Sequence, residues 1–93
     1  MFRKGKWPHS ERIYSDDEGF FISVGRDGLI YNEGKRRMKI TVEMGAKGFA
    51  IYVETIGRWD DDLANPVDDR TKRQITSKIK RALESQGQSV VLI

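Results

Sequence analysis

Apolar and polar residues alternate at several places along the first two-thirds of the chain. The cleanest run is RRMKITVEM, residues 36–44. There Met38, Ile40, Val42 and Met44 fall on one side of an extended strand, with Arg37, Lys39, Thr41 and Glu43 on the other. FFISV (20–24) sets Phe20, Ile22 and Val24 on one side, and FAIYVETI (49–56) sets Phe49, Ile51 and Val53 against Tyr52 and Glu54. Between these segments lie turn-forming clusters, SDDEG (15–19), GRDG (25–28), NEGK (32–35) and GAKG (45–48). Glycine accepts positive φ there, and Asp or Asn bonds its own backbone. Short turns between half-apolar strands predict sequential antiparallel pairing with one buried face.

The period changes in the last third. Ile75, Ile79, Ala82 and Leu83 sit at i, i+4, i+7 and i+8, which is one stripe on a helix. Asp68 or Asp69 can cap the helix start, and Gly87 stands just beyond the stripe, where helices commonly end. SVVLI (89–93) is short and β-branched, and is expected to add a strand. The predicted fold class is α+β: an antiparallel β-meander of about five strands packed on one C-terminal helix, with a short final strand.

Ninety-three residues, 38% apolar and 33% charged, suit one domain with a modest core. The expected division is a basic N-terminal arm at 1–12, carrying Arg3, Lys4, Lys6 and Arg12, followed by a single domain at 13–93. There is no cysteine, which excludes disulfides and thiolate metal sites and fits a cytoplasmic location. No apolar run approaches the roughly 20 residues needed to cross a bilayer, so no membrane partner is expected. The basic start lacks an apolar segment behind it and is not read as a secretory signal.

Candidate catalytic chemistry is sparse. His9 is the single histidine and follows Pro8 in the expected arm, where nothing would hold it in a nucleophile–base pair. The acidic clusters fall in turns among polar neighbours, and no glycine loop leads from a strand into a helix to cradle phosphate. Asp60, Asp61, Asp62, Asp68 and Asp69 crowd into WDDDLANPVDD, yet their spacing is not that of an EF-hand loop. The expectation is a protein that is not an enzyme and needs neither metal nor cofactor.

Charge is the more informative property. The net value is only +3, from 17 basic and 14 acidic residues, but it is distributed in poles. Asp60–Asp62 and Asp68–Asp69 form an acidic stretch, and no acidic residue follows from Arg70 to Arg81. Poles favour a charged macromolecule over a neutral small ligand. On the helix side opposite Ile75 and Ile79, the residues Arg70, Arg73, Lys80 and Arg81 could contact phosphates, together with the basic and aromatic FRKGKW at 2–7. That is a nucleic-acid reading. The protein-partner reading centres on Trp59, which with Arg58 and the three aspartates has the composition of a binding anchor and its charged rim. Arg37 should point outward, because Met38 points in.

From Gly28 to Gly87 the chain resembles a family of small bacterial immunity proteins found in polymorphic toxin systems, the one numbered 74. The resemblance rests on GLIYNEGKRRMKITVE, IGRWDDDLANPVDD and RQITSKIKRALESQG. Within them it uses Tyr31, Glu33 and Gly34, Arg37 and Met38, Glu43, Ile56 and Trp59, Pro66, and the helix with Ile75, Ala82 and Leu83. It implies an intracellular antidote that binds the effector domain of a cognate toxin and blocks its active site or substrate path, with no catalytic residue or cofactor of its own. If that toxin is a nuclease, Trp59 would anchor while Asp60, Asp61 and Asp62 stand in for phosphates, beside Arg58 and Arg37. An acidic toxin surface would instead select the Arg70–Arg81 face.

Overall fold

Alternation builds the larger layer. In the computed structural model, which describes residues 2–7, 10–15, 18–25, 28–45 and 48–93, five strands form a continuous antiparallel meander. They are β1 (Phe2–Trp7), β2 (Ser10–Ser15), β3 (Phe20–Gly25), β4 (Gly28–Glu33) and β5 (Arg36–Ile40), in that order across the sheet. Residues directly opposite each other share a face, and the register places apolar pairs together: Ile13 with Ile22, Ile22 with Tyr31, Tyr31 with Met38, and Leu29 with Ile40. All of these side chains are buried. Residues 2–7 and 10–12, expected from sequence as a basic arm, have strand backbone as β1 and the start of β2. His9 lies outside the described residues.

The run at 36–44 does not stay in one sheet. β5 ends at Ile40, and β6 (Val42–Gly45) belongs to a second, three-stranded sheet with β7 (Gly48–Ile51) and β8 (Ser89–Leu92). Thr41 is the hinge between sheets. Its N–H donates to the Thr55 hydroxyl (3.0 Å) and its carbonyl accepts from Tyr52 N–H (3.1 Å). Consequently Met38 and Ile40 are buried, Val42 is half-buried, and Met44, expected inside, is exposed. The expected strand at 49–56 is also shorter, because residues 53–55 close into a 3₁₀ turn. β6 and β7 pair antiparallel, whereas β8 pairs parallel to β7 after the helix crosses over.

Helix α1 (Asp69–Ser85) follows the sequence expectation closely. Asp68 is its N-cap, with a carboxylate oxygen accepting from Thr71 N–H at 2.7 Å. At the other end Gly87 adopts φ +81°, and Gln88 N–H returns to the Leu83 carbonyl at 3.2 Å, closing the last turn. Ile75, Ile79, Ala82 and Leu83 form the buried stripe. The helix touches both β2 and β8, so it spans the two sheets over a shared core. That core runs from Phe20 and Ile22 through Leu29, Tyr31 and Ile51 to Ile56 and Trp59.

One polar network fastens the helix to the meander. The Tyr31 hydroxyl donates to Glu33, and the Lys78 ammonium donates to the same Glu33 oxygen at 3.0 Å. Partial burial pushes the Glu33 carboxyl up. The hydrogen bonds from Tyr31 and Lys78, with the lysine charge, pull it down further, and the net shift is below the usual carboxylate value. Burial first, and then the neighbouring Glu33, raise the Tyr31 phenol well above its ordinary range.

The signs predict a two-sided pH profile. The depressed Glu33 contributes stability that is present above the unfolded carboxylate pKa of about 4.3. That contribution is lost as pH falls through the lower folded value. The raised Tyr31 contributes stability that is complete below about pH 10 and lost as pH rises beyond it. Glu33→Gln is expected to flatten the acid limb in a chemical-denaturation series across pH. An unchanged acid limb would remove Glu33 from the linkage.

Candidate partner interface

The stretch that runs into Trp59 is pinned at several points. Asp60 N–H donates to the Arg37 carbonyl (2.9 Å), Asp62 N–H to the Trp59 carbonyl (3.0 Å), and Val67 N–H to the Gly57 carbonyl (2.7 Å). Together they fold residues 57–67 back on the start of β5. Trp59 itself is only 8% exposed. Its ring lies 6.0 Å from Tyr31, which stacks on Phe20 at 5.6 Å, so the indole extends an aromatic row inside the core. Over its outer face sits the Arg36 guanidinium, 4.7 Å from the ring centroid.

The aspartates beside it are engaged. Arg36 reaches one Asp61 oxygen from both Nε and Nη2 at 3.1 Å, and Arg37 Nε lies 3.4 Å from Asp60. Asp62 accepts from the Asn65 amide at 3.0 Å. The structure therefore brings Arg37, Trp59, Asp60 and Asp61 together as the sequence grouping had them, and adds Arg36. Arg58 is exposed and makes no ion pair among the described residues. Leu63, which the sequence reading passed over, stands 68% exposed in the same loop.

This geometry fixes an expectation for Asp60→Lys combined with Asp61→Lys. Exposed ion pairs are individually weak, but two lysines facing Arg36 and Arg37 turn attraction into repulsion. The double variant should fold with stability lowered by roughly 1–2 kcal/mol. A urea midpoint shifted down at unchanged slope is the expected reading, and an unshifted midpoint would mean the pairs are not held in solution.

The basic face of α1 divides differently. Arg81 is committed to Glu18 through two parallel bonds of 2.9 and 3.0 Å, and Lys78 to Glu33. Arg70, Arg73 and Lys80, with Lys72 on the flank, have no carboxylate within ion-pair distance among the described residues. Arg70, Arg73 and Arg81 share a shallow groove with Gln74 and Ser77. On the other flank a second hollow opens between α1 and the end of β8. Val53 and Leu92 line it, with Lys72, Arg73, Thr76 and Lys80 from the helix.

Sequence reasoning missed the apolar surface of the small sheet. Met44, Val91, Leu92 and Ile93 are 45–60% exposed, and Met44 and Val91 border a shallow depression with Phe49 and Ala50. A signal was available in SVVLI, because consecutive apolar residues in a strand point to opposite faces and one helix can cover only one of them. No helix among the described residues is long and apolar enough to cross a membrane.

The chain has no match among the curated proteins and none among the solved structures. The model of one protein family, Immunity protein 74, matches residues 21–93, which run from the second residue of β3 through β8 and take in the Trp59 loop and all of α1. Over that span the chain is a member of the Immunity protein 74 family.

Proposed function

We infer that the protein neutralises a cognate toxin by binding the toxin's effector domain and occluding its active site or its path to substrate. The single observation that carries this reading is the family match over residues 21–93. The task requires only a stable, specific exterior, and the polar features described above are all of that kind. The complex would form in the cytoplasm, where a cell that makes a toxin is exposed to it. On this reading the loop at 57–67 is a preset, charge-balanced rim. Trp59 shapes it from below, Arg36 and Arg37 hold Asp61 and Asp60, and Arg58, Asp62 and Leu63 are left at its surface. The cations of α1 that form no ion pair among the described residues, Arg70, Lys72, Arg73 and Lys80, add a separate positive face.

The test uses the C-terminal domain of the protein encoded immediately upstream of this chain. Expression of that domain alone should arrest growth, co-expression of this chain should restore it, and the two purified proteins should co-elute. Arrest without rescue, or rescue without a complex, would overturn the reading. Nucleic acid is the second reading, favoured by Arg70, Lys72, Arg73 and Lys80, four cations with no ion pair among the described residues. It predicts retention of a DNA or RNA duplex that weakens steeply with salt.

A further inference from the structure

β8 presents an edge as well as a face. Ile93 N–H donates to the Ile51 carbonyl at 2.8 Å, and Val53 N–H donates to the Ile93 carbonyl at 3.1 Å. A strand residue sends its N–H and C=O to the same side, and the side alternates along the chain. Ile93 and Val91 therefore bond toward β7, and the backbone groups of Val90 and Leu92 point away from it. β8 ends the order of its sheet, so no strand covers that edge among the described residues. Strand edges that stay single are usually guarded by lysine, proline or an inward charge, and SVVLI has none of these. Next to Leu92 lies the hollow with Val53 and Thr76 at its walls and Lys72, Arg73 and Lys80 around it.

We propose that the outer edge of β8 is the docking site for an extended acidic segment of the toxin, which adds as a strand and seats one apolar side chain in the hollow between β8 and α1. The proposal rests on the immunity reading and names the surface and the partner chemistry within it. Backbone pairing supplies the affinity, and the apolar hollow with its cationic border supplies the choice of sequence. Charge decides against a second copy of this chain as the occupant. Pairing two β8 edges would bring two sets of Lys72, Arg73 and Lys80 together, and residues 89–93 hold no acidic side chain to offset them. It also decides between polymers, because a nucleic-acid backbone meets the cations but cannot match donors and acceptors spaced as in a strand.

The experiment measures binding of the purified upstream-encoded toxin domain by calorimetry, with amide exchange of this chain alone and in the complex. Two variants are used, Lys72→Glu/Arg73→Glu/Lys80→Glu and Leu92→Pro, which removes the outward N–H while leaving the ladder to β7. Each should weaken binding by roughly tenfold or more, and the amides of Val90 and Leu92 should become protected in the wild-type complex. Binding of native strength by both variants, without protection at Val90 and Leu92, would overturn the edge assignment and leave the immunity reading standing. Failure of the wild-type protein to bind the toxin domain would overturn the immunity reading itself, and the proposal with it. A wild-type dimer dispersed by Leu92→Pro would reassign the edge to self-pairing, and duplex binding lost in the triple variant would reassign the cations to nucleic acid. If Leu92→Pro does not fold, protection of Val90 and Leu92 in the wild-type complex decides the edge alone.

Discussion

Ile79→Asp is expected to leave the chain unfolded at room temperature. Ile79 is fully buried on the inner stripe of α1, in the core shared by the helix and both sheets. The substitution removes a branched side chain from a packed site and puts a carboxylate there that must either stay charged without a partner or take up a proton. The lost packing and the desolvation together cost about 5 kcal/mol or more. A domain of this size has a total stability toward the lower end of about 5–15 kcal/mol. Loss of the far-ultraviolet helix signal and of a cooperative thermal transition is the expected result. Ile79→Val is the companion measurement, since removing one methyl group should cost about 1 kcal/mol and leave the fold in place. A native-like midpoint for Ile79→Asp would mean that the helix turns another face to the core.

The helix was legible because everything that defines it is local. The stripe Ile75, Ile79, Ala82 and Leu83, the cap at Asp68 and the stop at Gly87 lie within one short stretch, and all are realised. The inward-facing Phe20, Ile22 and Val24 of β3 and Met38 and Ile40 of β5 were implied by alternation in the same way. What stayed hidden depends on contacts between distant residues. The alternation from Met38 to Met44 runs through Thr41 without a break, so its period cannot register a change of sheet. The change is made by bonds to Tyr52 and Thr55. The stretch at 2–7 lacks a two-residue apolar period, and it became a strand by pairing along β2.

The candidate site shows the same division. Trp59 and its aspartates were conspicuous in sequence, and Arg37 was placed outward correctly, with its side chain 67% exposed. Their nearest basic neighbours in sequence are Arg58 and Arg70, yet the residues that pair with Asp60 and Asp61 come from the start of β5. Pairing redistributes the charge. In the loop Asp60 and Asp61 are matched by Arg37 and Arg36, whereas Arg70, Lys72, Arg73 and Lys80 form no ion pair among the described residues. Complementarity with any charged partner is set by that residual pattern rather than by the linear one.

Gly48→Ala should detach β8 while sparing the larger sheet. Gly48 opens β7 opposite Ser89, with φ +142°, a backbone conformation that side-chain-bearing residues rarely adopt. A Cβ placed there would stand 2.1 Å from the Ser89 carbonyl oxygen and 2.9 Å from that residue's carbonyl carbon and amide nitrogen. All three atoms are backbone, so no side-chain rotation relieves the overlap and the two strands must separate. Strain and lost pairing together should cost about 2 kcal/mol or more. The expected signature is a lowered thermal midpoint with fast amide exchange across residues 89–92. Trp59 fluorescence, read in a Trp7→Phe background and reporting the aromatic row in the core, should be unchanged below the transition. Because β8 provides the proposed docking edge, the variant should also bind the toxin domain as weakly as Leu92→Pro does. A midpoint and β8 exchange equal to those of the unaltered chain would show that Gly48 and Ser89 do not approach this closely in solution. Retained toxin binding with β8 exchanging freely would move the docking surface away from that edge.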